Sequence, residues 1–210
     1  MDLIAHRGLT NDYIKENTME AYLNAIKNNY SGIELDIRKT KDNKIVCLHD
    51  KFINRTSNGV GNINNLTYRE LLKYNFGSKK VKSKIPLLSD VVKSINNKII
   101  IIELKEKINI DELENILKSN DSNDYYICSF NNKHIENIKN IKYKIGIINY
   151  IFNSGLNKNK YDFILILEDF FNEDIYNYLN KLGIEPIIYN ISNNIKIKNI
   201  KITNNLKYIL

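Results

Sequence analysis

The sequence predicts an α/β fold, a short (β/α)₈ TIM barrel, and two observations lead to it. Eight short runs rich in Ile, Val and Leu recur along the 210 residues, and most segments between them show helical spacing of apolar residues. Nearly continuous apolar strands that alternate with helices favour a parallel sheet covered by helices, and eight such units can close into a barrel. A doubly wound open sheet is the alternative.

The predicted elements follow one another in a regular order. The strands cover residues 3–5, 32–37, 44–49, 99–104, 125–130, 144–149, 162–167 and 185–190. Between the first two, Met19, Tyr22, Leu23 and Ile26 recur at spacings of three and four, which predicts a helix over 18–28. Residues 50–90 are longer than one helix and two loops require, so we predict an insertion between strand 3 and strand 4. Asn and Gly turn residues open the insertion, and YRELLKYN predicts a helix inside it.

We expect a single domain over residues 1–210, because no linker rich in Pro, Gly or Ser divides the chain. The net charge of +7 and the pI near 9.1 could suit a nucleic-acid partner. The lysines are scattered singly, however, and no arginine-rich block occurs, so no nucleic-acid binding is expected. A basic surface does suit an anionic small-molecule substrate.

The apolar runs and the cysteines bear on the compartment. The longest apolar run, Ile99 to Ile102, is far shorter than the roughly 20 residues that span a bilayer, so no stable membrane insertion is expected. Cys47 and Cys128 each lie in an apolar run and are predicted to be buried free thiols. The N-terminus shows no basic start followed by a long apolar stretch, so no secretory signal is expected. These features favour a cytoplasmic protein.

Ionisable residues fall where the predicted strands end. His6 and Arg7 follow the first strand directly, and His49 and Asp50 follow the third. In a TIM barrel the loops converge over the axis at the C-terminal ends of the strands, where active sites lie. We therefore expect these side chains to lie at the top of the barrel.

Three carboxylates occupy apolar strands. Glu34 and Asp36 are two residues apart on the second strand, so the pleat points both to one face. Glu103 and Lys105 repeat this spacing on the fourth strand. Because carboxylates are costly to bury without a cation, Glu34, Asp36 and Glu103 predict a site for one divalent metal ion. Ligation by oxygen alone favours Mg²⁺ or Ca²⁺, with Mn²⁺ as a further option.

The remaining polar groups supply acid–base chemistry and positive charge. His6 and His49 are free for proton transfer, because histidine titrates near neutral pH and a pair can supply one general base and one general acid. Arg7 and Lys105 add fixed positive charge that suits phosphate oxygens. Metal ligands, acid, base and anion ligands together form a complete set for an active site.

Several segments resemble the signature of glycerophosphodiester phosphodiesterases: HRG at 6–8, ENT at 16–18, ELDIRKTKDNKIVCLHD at 34–50, IP at 85–86 and IELK at 102–105. The likeness continues through NRTSNGVGNINNLTYRELLKYNFG in the insertion and is fainter beyond residue 106. It implies a TIM barrel in which Glu34, Asp36 and Glu103 bind the metal while His6 and His49 do acid–base work. It also implies hydrolysis of diesters such as glycerophosphocholine or glycerophosphoethanolamine to glycerol 3-phosphate and an alcohol, within lipid and glycerol metabolism.

The resemblance further implies a route. The metal and one histidine would activate the glycerol 2-hydroxyl to attack phosphorus, the other histidine would protonate the leaving alcohol, and water would open the cyclic glycerol phosphate. Which histidine acts first as base stays open. Glu16 and Asn17 are expected to brace the site, and His134 is interpreted as a solvated surface residue.

Two departures from the family pattern concern the wall of the site. Lys15 stands where the family commonly has Pro, and Tyr189 stands near its usual tryptophan, so substrate choice is less defined than reaction type. The alternatives are a lysophospholipase D-like hydrolase of the same fold, an enzyme that cleaves teichoic-acid or phosphatidylglycerol fragments, and a non-catalytic phosphate-binding barrel. A lipid-facing enzyme would expose apolar side chains near the barrel top, and YIFN at 150–153 is the candidate. The oligomeric state is left open.

Overall fold

A computed structural model confirms the fold class as a closed barrel of eight parallel strands with helices between them. The structure describes residues 1–138, 142–149, 151, 160–189 and 206–210. The described strands are β1 (Asp2–Ala5), β2 (Gly32–Lys39), β3 (Ile45–Cys47), β4 (Ile99–Leu104), β5 (Asp124–Ser129), β6 (Lys144–Ile148), β7 (Phe163–Leu167), β8 (Glu185–Tyr189) and β9 (Lys207–Ile209). The described α-helices are α1 (Met19–Lys27), α2 (Tyr68–Leu71), α3 (Leu88–Ser94), α4 (Ile110–Lys118) and α5 (Glu173–Leu182).

The barrel closes through β1. This strand pairs in parallel with β2, where Ala5 is the partner of Ile33, and with β9, where Ile4 is the partner of Ile209. The remaining order around the barrel is β2, β4, β5, β6, β7, β8 and β9. None of the helices in the described ranges is long and apolar enough to cross a bilayer, and Cys47 and Cys128 are buried and free as predicted.

The segment predicted as the third barrel strand lies outside the barrel, which corrects the sequence assignment. Its strand β3 pairs antiparallel with the end of β2, so that Ile37 is opposite Cys47 and Lys39 is opposite Ile45. Only five residues, 40–44, connect the two strands. A parallel partner would need a crossover of about a dozen residues, so a hairpin is the connection that this length allows.

This hairpin belongs to the insertion, which we define as residues 40–87. The insertion is predicted over 50–90, after the third barrel strand; it begins earlier, includes β3, and separates the second and third strands of the barrel. It has its own buried apolar cluster, made by Val46, Leu48, Ile53, Ile63, Leu71, Phe76 and Ile85. Helix α2 is one short turn with a Thr67–Glu70 capping box, so the predicted helix over 68–75 is shorter than expected.

The eighth barrel strand is β9; the segment predicted as the eighth, 185–190, contributes β8 (Glu185–Tyr189), which is the seventh. Lys207 to Ile209 pair with both β8 and β1. A run of three residues has too little apolar periodicity to be recognised as a strand, and only these long-range pairings define it. The TN motif at 203–204 lies outside the described residues.

The pleat of each strand divides two apolar layers. The alternate residues Ile33, Leu35 and Ile37 of β2 pack outwards against the helices, together with side chains of α1 and α3. The opposite face of the strands points into the barrel, where Ile4, Ile101, Phe163, Leu165 and Ile187 form a second buried cluster. Glu34 and Asp36 therefore point into the barrel, because they alternate with the outward residues.

Gly8 lets the chain pass close to helix α1 directly after the end of β1. Its φ is +82°, and a Cβ there would lie 2.7 Å from the carbonyl carbon of Ala21. We expect Gly8→Ala to lower the free energy of unfolding by about 2–4 kcal/mol, because a left-handed backbone and an overpacked contact both carry a cost. Urea denaturation of the two proteins measures the difference.

Gly183→Ala is the matched control for this prediction. Gly183 also has a positive φ, +70°, but a Cβ there would meet no described atom within 4 Å. Its loss should therefore be limited to the backbone cost, about 1 kcal/mol. Equal losses at the two positions would mean that the contact of Gly8 with α1 adds nothing.

Candidate active site

Three buried carboxylates meet inside the top of the barrel. Glu34 and Asp36 lie on β2, and Glu103 lies on β4 as the register partner of Asp36. One carboxylate oxygen from each residue lies within 4.8 Å of the other two, and all three residues are buried. We call these three residues the acidic triad.

The electrostatics of the acidic triad indicate a cation site. Burial and the nearby charge of Asp36 raise the pKa of Glu103 to about 7, and burial, Asp36 and Glu103 raise the pKa of Glu34 well above its usual range. The Oδ1 atom of Asp36 is buried and accepts no hydrogen bond from a described residue. A divalent ion held by one oxygen of each residue would relieve the repulsion and satisfy this atom. The triad could therefore hold a metal ion.

Arg7 and Lys105 flank the acidic triad. The backbone N–H of Arg7 donates to Glu34 Oε2 at 3.0 Å, and its Nε lies 3.2 Å from Asp36 Oδ2. Lys105 Nζ lies 2.6 Å from Glu103 Oε1 and 3.6 Å from Asp36 Oδ1. Arg7 has a φ of 56°, a strained value for a residue with a side chain. When all three carboxylates are ionised, their charge exceeds that of the two cations by one, so a further positive charge can bind there.

The ENT segment at 16–18 supports this arrangement, as the sequence predicts. Glu16 Oε1 accepts a hydrogen bond from Arg7 NH1 at 2.9 Å. The amide of Asn17 donates to Asp36 Oδ2 at 2.9 Å, and Thr18 caps helix α1 with its side chain. The segment thus fixes one ligand of the acidic triad, one cation and the start of the first helix.

His6 lies beside the acidic triad at the end of β1. Its Nε2 is 3.8 Å from Glu34 Oε2, and its ring meets the ring of Tyr189 edge to face at a centroid distance of 5.0 Å. Burial, followed by the charge of Arg7, lowers the pKa of His6 to about 4. His6 is therefore neutral near pH 7 and able to accept a proton.

His49 reaches the same end of the barrel through the β2–β3 hairpin. The backbone N–H of Leu48 donates to the carbonyl of Asp36 at 2.9 Å, and Arg38 Nε donates to the carbonyl of His49 at 2.8 Å. The ring Nδ1 of His49 lies 2.7 Å from Asp50 Oδ1. Because Asp50 accepts the proton on Nδ1, the Nε2 atom is left for substrate.

A chain of ion pairs joins the two histidine regions. Arg55 contacts Asp50 Oδ2 through Nε at 2.6 Å and binds both oxygens of Glu16 at 2.9 and 2.7 Å. Hydrogen bonds from Arg55 and His49 hold the pKa of Asp50 well below its usual range. Although burial alone would raise it, Arg55 and Arg7 lower the pKa of Glu16 to about 2. His49 is thus linked to Arg7 through Asp50, Arg55 and Glu16.

Six of the seven predicted site residues either form the acidic triad or lie directly beside it. The seventh, His49, is connected to them through the chain of ion pairs. Arg55 was not predicted. Its signal was weak: it is one of only four arginines in a chain of 31 basic residues, within a segment interpreted as turns.

His134 differs from its interpretation as a solvated surface residue. It is half-buried at the end of a 3₁₀ turn, Asn132–His134. Its Nδ1 lies 3.0 Å from Ser129 Oγ and 3.3 Å from the carbonyl of Leu104. The turn folds back onto the end of β5, which no local pattern in the sequence indicates.

Comparisons with known proteins agree with this geometry. A family model described as the glycerophosphoryl diester phosphodiesterase family matches residues 6–154. A glycerophosphodiester phosphodiesterase of Caldanaerobacter subterraneus subsp. tengcongensis is 34% identical over 160 residues, which cover 70% of this chain and 65% of that protein. This chain spans between 45% and 65% of the length of the first curated relatives that it matches.

Two solved structures show the same architecture. A glycerophosphodiester phosphodiesterase from Thermotoga maritima has a TM-score of 0.71 at 27% identity, with 90% of this chain and 84% of that chain covered. An Oleispira antarctica phosphodiesterase, solved with the product sn-glycerol-3-phosphate, has a TM-score of 0.80 at 21% identity and covers 90% and 83%. The latter likeness concerns the fold alone.

Proposed function

This chain belongs to the glycerophosphoryl diester phosphodiesterase family, and on that premise we propose that it hydrolyses glycerophosphodiesters to glycerol 3-phosphate and an alcohol. The observation that carries the proposal is the meeting of a buried acidic triad, two cations and two histidine regions at the C-terminal end of one barrel. Together these groups provide the metal ligands, acid, base and anion ligands of phosphodiester hydrolysis.

Glu34, Asp36 and Glu103 would hold one divalent ion. Their oxygen ligands suit Mg²⁺ or Ca²⁺, and also Mn²⁺. Such an ion supplies positive charge that offsets the charge developing on the phosphoryl oxygens. Arg7 and Lys105 add fixed positive charge at the same place and would contact the non-bridging oxygens of the phosphate.

His6 is our candidate for the first base. It is neutral at pH 7, since its pKa is lowered to about 4, and it lies beside Glu34. It would take the proton of the glycerol 2-hydroxyl as this oxygen attacks phosphorus. His49 would donate a proton from Nε2 to the departing alcohol, and Asp50, hydrogen-bonded at Nδ1, would stabilise the protonated ring beforehand.

The second half of the reaction reverses the two roles. His49, now neutral, would remove a proton from water as the water attacks the cyclic glycerol phosphate. His6 would return its proton to the 2-oxygen as the ring opens. Both histidines then regain their starting states, and glycerol 3-phosphate is the product.

Metal removal tests the proposed function. We expect EDTA-stripped protein to release no glycerol 3-phosphate from glycerophosphocholine or glycerophosphoethanolamine, and we expect added Mg²⁺ or Ca²⁺ to restore release. A coupled assay with glycerol 3-phosphate dehydrogenase measures it. Absence of release with every metal and both diesters would contradict the proposal and favour first lysolipid substrates and then a binding role.

Exposed apolar side chains favour a lysophospholipase D-like hydrolase as the second candidate. Phe130, Ile151 and Phe170 are exposed and follow the C-terminal ends of parallel barrel strands, on the face that holds the acidic triad. The predicted YIFN segment is described only at Ile151. The same metal-restored assay with lysophosphatidylcholine distinguishes the candidates, since faster turnover of the lysolipid would favour the second.

We further propose that residues 1–210 act as one catalytic domain in the cytoplasm. The free, buried thiols of Cys47 and Cys128 support a reducing compartment. Mass spectrometry of protein alkylated under denaturing conditions in cell extract would test this, because both thiols are expected to be free and therefore to carry one alkyl group each.

A further inference from the structure

A cavity of about 480 Å³ adjoins the proposed active site. It lies between the loop that follows β1 and the insertion, and its lining includes Thr10, Asn11, Lys15, Arg55, Thr56 and Lys79. The role of this cavity is not explained by the acid–base and metal chemistry.

The cavity and the catalytic residues share one wall. Glu16 and Arg55 line the cavity, and the same two side chains contact Arg7 and Asp50 on the catalytic side. A diester with its phosphorus over the acidic triad needs space for the alcohol beyond the phosphate. The cavity behind this ion pair offers such space, and Arg55 in its wall contacts Asp50, the partner of His49.

The charge of the cavity is positive. Its lining residues carry three positive charges, from Lys15, Arg55 and Lys79, against one negative charge from Glu16. The Glu16 carboxylate is already bound by the guanidinium groups of both Arg7 and Arg55. The ammonium of Lys15 contacts the backbone carbonyl of Asp12 at 3.3 Å, and in the described part of the chain no ion pair is formed by Lys15 or Lys79.

Lys15 and Lys79 are the positive charges of the cavity that pair with no carboxylate of the described residues. Two lysines without an acidic partner match the charge of a phosphate or carboxylate group.

We propose that this cavity binds the alcohol portion of the substrate and selects alcohols that carry an anionic group over cationic ones. The proposal rests on the proposed hydrolysis of glycerophosphodiesters and adds a substrate class to it. The anionic group would be a second phosphate or a carboxylate, held by Lys15 and Lys79. Choline and ethanolamine, which carry positive charge, would be disfavoured by the same lysines.

Kinetics with four diesters test the selection. We expect kcat/KM of the metal-loaded enzyme to be about tenfold higher for bis(glycerophospho)glycerol or glycerophosphoglycolate than for glycerophosphocholine, with glycerophosphoglycerol, whose alcohol portion is neutral, between them. The two anionic substrates distinguish phosphate from carboxylate. Lys15→Gln and Lys79→Gln should each reduce the preference about threefold, mainly through KM, because they remove attraction and not chemistry.

Lys80→Gln is the matched control. Lys80 is the next residue in the chain, but its ammonium contacts the hydroxyl and ring of Tyr13 and it does not line the cavity. Its substitution removes the same charge and should leave the preference unchanged. A preference that falls equally in all three variants would reflect net charge alone and would overturn the proposal.

Binding separates this proposal from the proposed function. Calorimetric titration of the metal-free protein with bis(glycerophospho)glycerol and with glycerophosphocholine needs no turnover. Tighter binding of the anionic diester that weakens in Lys15→Gln supports the cavity even if hydrolysis fails. Hydrolysis of all four diesters at equal kcat/KM, with equal binding, would overturn the selection while the phosphodiesterase activity stands.

Discussion

Replacing His49 or His6 with alanine is expected to lower kcat by a factor of about 10² or more while the fold stays intact. The expectation follows from their proposed roles, since a positioned general acid or base contributes roughly 10² to 10⁴ in rate. The His6 side chain is 28% exposed and the His49 side chain is 32% exposed, so neither truncation opens a large buried cavity. Steady-state kinetics with glycerophosphoglycerol under saturating metal measures the effect.

The leaving group separates the two roles. A glycerol 3-phosphate ester of p-nitrophenol releases an alcohol that needs no protonation, because its conjugate base is stable. His49→Ala should therefore recover most of its activity on this substrate, whereas His6→Ala should stay slow because the 2-hydroxyl must still be deprotonated. Recovery of His6→Ala in place of His49→Ala would show that the roles are reversed.

The third histidine supplies the control. His134 is half-buried and contacts Ser129 and the carbonyl of Leu104, and it takes no part in the proposed proton transfers. His134→Ala should keep kcat close to that of the unmodified protein. Full activity in either His6→Ala or His49→Ala, with unchanged circular dichroism, would remove the acid–base assignment.

Local patterns sufficed to predict the acidic triad. Glu34 and Asp36 alternate with Ile33, Leu35 and Ile37, and a strand can place the apolar set outwards only by pointing both carboxylates inwards. The parallel register then brings Glu103 opposite Asp36. These positions follow from the pleat and the strand order, both of which are encoded in short segments.

The position of His49 depends on the direction of β3, which the residues of that strand alone do not specify. We predicted that His49 lies at the barrel top because we expected it at the end of a parallel strand. The position is correct, but the expected strand direction is wrong. The residue arrives there because β3 runs antiparallel and returns the chain to Asp36, where the two backbones join through Leu48. The five-residue connection at 40–44 was the available signal, since it is too short for a crossover.

Contacts between distant segments were beyond the reach of sequence reasoning. Glu16 and Arg55 are 39 residues apart, and their pairing depends on how the insertion folds over the first loop. The same holds for β9, whose three residues are a strand only because β8 and β1 lie on either side of them. A single sequence specifies such contacts through the whole fold and not through a local pattern.

The affinity of the acidic triad for Mg²⁺ or Ca²⁺ is expected to rise at least about 100-fold between pH 5 and pH 7. The metal binds carboxylate anions, so it must displace any proton that the metal-free site holds. The pKa of Glu103 is raised to about 7, and that of Glu34 is raised as well. Displacing one proton makes the affinity increase about tenfold for each pH unit below the pKa.

The protonation of the carboxyl groups and of His6 decides the direction of this pH dependence. A carboxyl with a folded-state pKa above its usual value makes the metal-free protein lose stability as the pH rises from about 4.5 to 7, and the bound metal offsets this loss in the same range. His6 has a pKa of about 4 and is neutral above pH 5, so it releases no proton there. Above pH 7 the affinity should level off for Glu103, while Glu34 extends the rise.

Calorimetric titration at pH 5, 6 and 7, in two buffers with different ionisation enthalpies, measures both the affinity and the number of protons released. At pH 5 about one proton or more should leave for each metal bound. Glu103→Gln is the control, because it removes a carboxyl that titrates in this range; its affinity should be lower at pH 7 and its pH dependence flatter. An affinity that is independent of pH in the unmodified protein would mean that the triad is already ionised without metal, or that the metal binds elsewhere. Since burial of the carboxylates is what raises their pKa values, that result would also count against the packing of Glu34 and Glu103 inside the barrel.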